Sequence, residues 1–338
     1  MYKASKTVKW FCMRCRLMKI TRKSEQRKVM KKMLNNVEVI GVDHGWSMIK
    51  TASCVFATGV KEIPNEPPMR NDILEYEGRF YSIGERRLEV RSEKTENENF
   101  YLLTLAAMAR ELKKRGKYEA NVYLAAGLPI SRFSDEKKGF IEYLGKNKEE
   151  VFRFEDDVFH VRIVHVAVFP QCYGAVVDRI TEYTQRVVVV DAGSWTIDIM
   201  PIENKKPVNG ECISLQNGLI PCMRKINERC YRSYNTELDE STIQRYMMTM
   251  NADVDDEYLE LMKEELQHYA DGVYNSLREY KISLKTTKIV FVGGGAVVIK
   301  NFGNLQQRNI SYVVDVKANA KGFEYLGKLS LQKKQREG

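Results

Sequence analysis

Two short stretches constrain this chain more than anything else in it. VIGVDHGWS at 39–47 and VVVVDAGSW at 187–195 share one form: four mostly β-branched or small residues, an aspartate, one free position, a glycine, then the start of another strand. They lie about one domain's length apart, the mark of a duplicated structural unit. A buried strand that ends in an acid sets its carboxylate, Asp43 or Asp191, at the mouth of a cleft. The glycine, Gly45 or Gly193, lets the chain reverse tightly enough for consecutive N–H groups to converge on an anion. Two such hairpins facing each other would hold a polyphosphate from both sides. Mg²⁺, which keeps much of its water shell, suits two carboxylates acting through water better than a closed cage. A single Asp-x-Gly after a strand is an ordinary turn sequence; the matched pair is what carries the reading. Lys50, seven residues after Asp43 on the returning strand, is placed to reach a phosphate as a point charge.

Around these turns, strand and helix patterns alternate from residue 37 onward, which predicts an α/β protein. Strands are expected at 37–43, 121–127, 186–193 and 288–295, with hairpin segments around Tyr76 and Tyr81 and a charged loop at 91–98. FHVRIVHVAVFP at 159–170 reads as a pair of strands. Helices are expected at 99–116 with Gly116 as its stop, over DEKKGFIEYLGKN, from Gln171 to about Tyr183, at about 219–234, 239–250 and 255–280, and briefly near 319–327. The acidic run at 253–257 reads as a helix N-terminus favoured by the dipole. Gly293, Gly294 and Gly295 follow an apolar strand and would let a base or ribose approach the backbone. There is no GxxxxGK[ST], so this is not a P-loop, and GGG is too short for a dinucleotide fingerprint.

The chain has 338 residues and a formal net charge of +9, but that charge is localised. Residues 1–36 hold twelve Lys or Arg and one acid, Glu25, so the remainder is close to neutral. Direct nucleic-acid binding by the core is therefore not expected. The leader reads as a disordered tail, with Met30 or Met33 as an alternative start. A nucleic-acid arm and a segment lying on an anionic membrane remain open. Cys12 and Cys15 have zinc-knuckle spacing without a second ligand pair. The seven scattered cysteines and the absence of a long apolar run point to a cytoplasmic protein without a membrane span. His44, His160, His165 and His268 form no metal spacing, and His160 with His165, on a strand pair, read as surface or satisfied core residues.

Taken in order, DHGWSMIK at 43–50, DAGSWTID at 191–198 and VGGGA at 292–296 resemble the two phosphate loops and the adenosine loop of the actin, sugar-kinase and heat-shock chaperone superfamily. GLP at 127–129, VFPQCYGA at 168–175 and ANAKGFEYLG at 318–327 resemble the ParM/StbA branch of bacterial actins, whose filaments segregate plasmids. The resemblance implies an actin-like ATPase fold with two related, ribonuclease H-like α/β domains about a nucleotide cleft. It implies domain I at 37–185, completed by 315–338, and domain II at 186–314. It implies ATP and Mg²⁺ as ligands, with Asp43 and Asp191 holding the metal through water. Gly45, Trp46, Ser47, Lys50, Gly193, Ser194, Trp195 and Thr196 would line the phosphates, with Gly218, Gly293, Gly294 and Gly295 among the nucleotide contacts. Gln171 falls where the superfamily places the residue that orients the attacking water. Members of the ParM branch commonly have Glu there, and a Gln positions and polarises water without taking its proton. Trp46 and Trp195 depart from the small residues usual in these loops, so their side chains must turn away or stack. The implied partners are further copies of the chain and a DNA-binding adaptor. A small-molecule phosphotransferase of the same superfamily is the alternative; it would need a carboxylate base beside the γ-phosphate, where the sequence offers Gln171. About 40 residues follow the third loop, too few for the peptide-binding domain of a chaperone.

Overall fold

The computed structural model describes residues 36–91 and 93–337. The expectations placed on residues 1–35, the Cys12–Cys15 pair included, lie outside the described residues.

Strand β1, Val37–His44, is buried from Val39 onward, as an apolar run covered on both sheet faces must be. It pairs antiparallel with β2 (Met48–Thr51) and parallel with β7 (Glu119–Leu128). The other strands of this sheet are β3 (Val55–Ala57), β4 (Val60–Ile63), β5 (Ile73–Tyr76), β6 (Arg79–Ile83), β8 (Glu149–Phe154) and β9 (Asp157–Pro170), in the order β3-β2-β1-β7-β9-β8-β5-β6-β4. The second sheet repeats the central arrangement. Its β10 (Val187–Ala192) pairs antiparallel with β11 (Ile197–Glu203) and parallel with β14 (Lys288–Val292). Strands β12 (Lys206–Pro207) and β13 (Ile213–Leu215) extend β11, and β15 (Ile310–Tyr312) extends β14. The two sequence repeats are thus the same element of two sheets.

Helices α1 (Asn99–Lys114) and α2 (Phe133–Leu144) cover one face of the first sheet. Helices α3 (Leu219–Tyr234), α4 (Glu240–Thr249), α5 (Asp256–Glu279) and α6 (Gly294–Phe302) cover one face of the second. Gly116, with φ 66°, takes the left-handed conformation that stops α1, and Asp256 and Glu257 open α5 at its positive end.

Three elements differ from expectation. Residues 159–170 belong to one strand, not two: Val122 pairs with Ile163 and Tyr123 with His165, so Val164 bulges out and breaks the alternation. The segment after Gln171 is a 3₁₀ helix that starts only at Gly174, because Cys172 sits at φ 70° and interrupts any helical run. The short helix near 319–327 is α7, Ala318–Glu337, of 20 residues.

Helix α7 closes the far face of the first sheet. Phe323, fully buried, stacks on Phe169 with centroids 6.4 Å apart. Glycines permit the approach: a Cβ at Gly127 would enter the Phe323 ring, and one at Gly322 would run into the carbonyl oxygen of Gly174. Arg115 fastens α7 to the sheet, donating to Glu324 and Glu38 at 3.0 Å each and to Glu111 at 3.1 Å. Helix propensity alone would favour Gly322→Ala by about 1 kcal/mol. The close approach predicts the opposite sign, a net loss of about 2 kcal/mol or more, read from the urea midpoint of the purified variant; an unchanged or higher midpoint would contradict this packing.

Candidate functional site

The two hairpins that follow β1 and β10 are built alike. Gly45 N–H donates to the Met48 carbonyl at 3.1 Å, and Gly193 N–H to that of Thr196 at 2.8 Å, closing matching four-residue turns. The N–H groups of Trp46, Ser47, Ser194 and Trp195 have no backbone partner among the described residues. Both turns open onto one cleft between the sheets, lined also by Asp43, Lys50, Gln171, Asp191, Gly293 and Gly294.

Strand register decides what each hairpin offers. Asp43 stands opposite Lys50, and Asp191 opposite Asp198. The spacing is the same, but the first hairpin pairs an acid with a base and the second pairs two acids. Lys50 Nζ donates to Asp43 Oδ2 at 3.3 Å, and Gln171 Nε2 to Asp43 Oδ1 at 2.6 Å. Burial pushes the Asp43 carboxyl up, but the charge of Lys50, the Gln171 hydrogen bond and the charge of Lys94 outweigh it and hold the group below its usual range. In the second hairpin, burial and the neighbouring Asp43 charge raise Asp191. Burial, with Asp191 adding to it, raises Asp198 to about 7 although Ser214 hydrogen-bonds it. Two buried carboxyls facing each other cannot both ionise without a cation or a shared proton.

Of the positions singled out in the sequence, thirteen line the cleft: Asp43, Gly45, Trp46, Ser47, Lys50, Gln171, Asp191, Gly193, Ser194, Trp195, Thr196, Gly293 and Gly294. Gly218 and Gly295 stand behind its wall. Gly218 lies against the backbone of Ser194 and Trp195, and its N–H donates to the Trp195 carbonyl at 3.0 Å. The N–H groups of Leu219 and Ile220 reach Gly193 and Ser194 in the same way, so the start of α3 supports the second turn from behind. Gly295 lets α6 press on Ala192, while Gly293, at φ 80°, leaves room for the Asp191 carboxylate. The tryptophans are half-buried and pack against neighbouring side chains. Trp46 meets Phe100 edge-on at 5.2 Å and touches both major cores, and Trp195 lies under Arg224 at 5.9 Å.

Sequence reasoning missed Lys94, Asp198 and Asn319. Asp198 was findable from the seven-residue spacing that found Lys50. Lys94 lay in a stretch that reads only as a charged loop, yet it is 6% exposed and lines the cleft. Leu219, Met223, Met247 and Met248 give the cleft an apolar side. Nearby, Arg87 from the segment after β6 grips Glu240 of α4 at 2.9 and 3.0 Å. Of the histidines, His44 is buried with Nε2 2.8 Å from Thr104 Oγ1, while His160, His165 and His268 are exposed.

Two family models match the chain, one for the actin-like proteins' N-terminal domain over residues 41–174 and one for the C-terminal part of the MreB-like archaeal actin homologue over 189–304. It belongs to the actin-like proteins. The fold is the actin-like one, two α/β halves around the cleft. Solved structures of the same fold include a 15-stranded ParM filament from Clostridium botulinum (TM-score 0.69, 17% identity, covering 87% of this chain and 99% of that one). An archaeal actin homologue in complex with ADP matches with TM-score 0.67 and 18% identity, covering 86% and 99%. ParM of Bacillus thuringiensis with ATP matches with 0.65 and 14%, covering 88% and 100%. No curated protein sequence matches the chain. Among the described residues no helix is long and apolar enough to cross a membrane.

Burial lowers the Lys94 ammonium from its usual range to about 8, against the pull of Asp43 and Glu136. A base whose folded pKa is depressed destabilises the fold in full below that pKa, where the buried group is charged, and progressively less as pH rises to the unfolded value. The empty protein is therefore expected to gain on the order of 2 kcal/mol at pH 7 from Lys94→Met. That gain should shrink as pH rises from about 8 toward 10.5. Urea titrations at several pH values check both sign and window.

Proposed function

We propose that this actin-like protein binds Mg-ATP in the cleft, hydrolyses it, and uses the nucleotide to control head-to-tail assembly into filaments. Segregation of DNA in the cytoplasm through a DNA-binding adaptor is the role that fits the ParM resemblance. The observation that carries the reading is the pair of like-built hairpins, one from each sheet, whose aspartates, free turn N–H groups and Lys50 face one cleft. Solved relatives of the same fold hold ADP or ATP, and one is a filament, which supports it. The division into domain I at 37–185 with 315–338 and domain II at 186–314 belongs to the same proposal.

The turn N–H groups of Trp46, Ser47, Ser194 and Trp195, with Lys50 and Lys94, suit a polyphosphate; the apolar side with Gly293 and Gly294 suits a base. The donor set fits magnesium held through water. Asp43 is kept ionised, the second hairpin buries two acids that a cation would relieve, and no cluster of three direct ligands exists among the described residues. Magnesium, when bound, supplies charge neutralisation on the phosphate oxygens. Gln171, anchored on Asp43 through Nε2, keeps Oε1 as the acceptor that orients water. An amide cannot take the proton of that water, so its contribution is to position and polarise it. A nucleotide held by both hairpins favours one relative orientation of the two halves. An interface spanning both halves is complementary only in that orientation, and its repetition without closure gives a filament.

Phosphate release should require Mg²⁺ and be abolished by Asp191→Ala. Gln171→Ala should slow it by ~100-fold while leaving nucleotide affinity nearly intact; equal losses of both would make Gln171 a structural residue. Mg-ATP should also drive reversible pelleting and light scattering. One observation favours a second reading: Asp198 is the cleft carboxylate that a small-molecule phosphotransferase would need. A protein that hydrolyses ATP yet stays monomeric over a wide concentration range would move that reading to first place.

A further inference from the structure

The ANAKGFEYLG motif at the start of α7 has so far no chemical role, although Asn319 is 6% exposed and lines the cleft. Both ends of its amide are engaged. Oδ1 accepts the backbone N–H of Cys172 at 3.1 Å, and Nδ2 donates to Asp191 Oδ2 at 2.7 Å. Cys172 follows Gln171 in the chain and is held at φ 70°, a conformation costly for a residue with a side chain. Its N–H cannot join the 3₁₀ helix that begins two residues later, so Asn319 supplies the partner. The strained turn fixes where Gln171 leaves β9, and Gln171 in turn donates to Asp43. The Asn319 amide is thus the middle of an unbroken path from Asp43 of the first sheet, through Gln171 and the Cys172 peptide, to Asp191 of the second. Helix α7 is anchored to the first sheet by Arg115 and Phe323, so the link joins the two halves at the base of the cleft.

We infer that Asn319 is a positioning residue that holds the Gln171 turn and the Asp191 carboxylate in one fixed relation across the cleft. The inference rests on the nucleotide reading above and adds to it how the two hairpins are held in register. Asparagine suits the task because one planar amide offers an acceptor and a donor at opposite corners. Aspartate keeps the acceptor for Cys172 but places a second carboxylate against Asp191; leucine removes both bonds.

Three measurements on full-length protein test this. Intrinsic tryptophan fluorescence titrated with ADP, in EDTA and in Mg²⁺, uses Trp46 and Trp195 beside the cleft. Asn319→Leu and Asn319→Asp should bind ADP in EDTA within about threefold of wild type, whereas the Mg²⁺ concentration giving half of the tight binding should rise tenfold or more. Phosphate release at saturating ATP should fall ~100-fold in Asn319→Leu, and the Asn319→Leu/Gln171→Ala double variant should be no slower than Gln171→Ala alone, the non-additivity expected of residues acting as one unit. Multiplying effects in the double variant, or an unchanged Mg²⁺ requirement in a folded Asn319→Asp protein, would overturn the inference. Thermal melts identify the folded variants, and Asn319→Asp serves where leucine does not fold. If wild-type protein bound no nucleotide, the reading beneath the inference would fail instead, whatever the variants did.

Discussion

The structure depends on keeping several charged groups out of water in one cleft. Asp43, Asp191 and Asp198 are each less than a tenth exposed, and so is Lys94. Buried charge of this kind persists only where each group is paired, hydrogen-bonded or neutralised. Asp43 is satisfied twice, by Lys50 and Gln171. The second hairpin is not balanced in the same way, since its register sets Asp198 opposite Asp191 where the first sets Lys50 opposite Asp43. One half of the cleft is therefore electrostatically complete, and the other is complete only with a proton or a cation. That asymmetry between two copies of one hairpin comes from a single register position, Lys50 in the first and Asp198 in the second.

Holding the arrangement together is the work of elements far from the turns. The start of α3 backs the second turn with three N–H groups, and Gly218 and Gly293 remove the side chains that would obstruct Trp195 and Asp191. Helix α7, from the end of the chain, packs against strands near its beginning and sends Asn319 between the halves. Trp46 touches both major cores. Arg87 and Glu240 also join the halves by a bidentate ion pair.

The strand-Asp-x-Gly repeats, the helix over 99–116 and the three helices between 219 and 280 were legible in the sequence because each is a local pattern: periodicity, a glycine stop, an acidic first turn. So were Asp43, Lys50, Asp191 and Gln171, which stand in motifs. The bulge at Val164 was not legible, because one extra residue in a strand is visible only against its partner. Nor was the interruption at Cys172, whose N–H, at positive φ, donates to an acceptor more than a hundred positions away.

The sequence by itself determined that two like hairpins exist, which acids end their strands, and that a family of two-lobed actin-like proteins is the right comparison. Those features depend on residues within a few positions of each other. Only the tertiary structure decided that Gly218 and Gly295 serve the wall rather than its surface, and that a lysine from a charged loop is buried beside Asp43. It alone paired Asp198 with Asp191 and brought Asn319 between Cys172 and Asp191. These relations depend on register, close approach and burial between segments distant in the chain, and no local pattern of side chains encodes them.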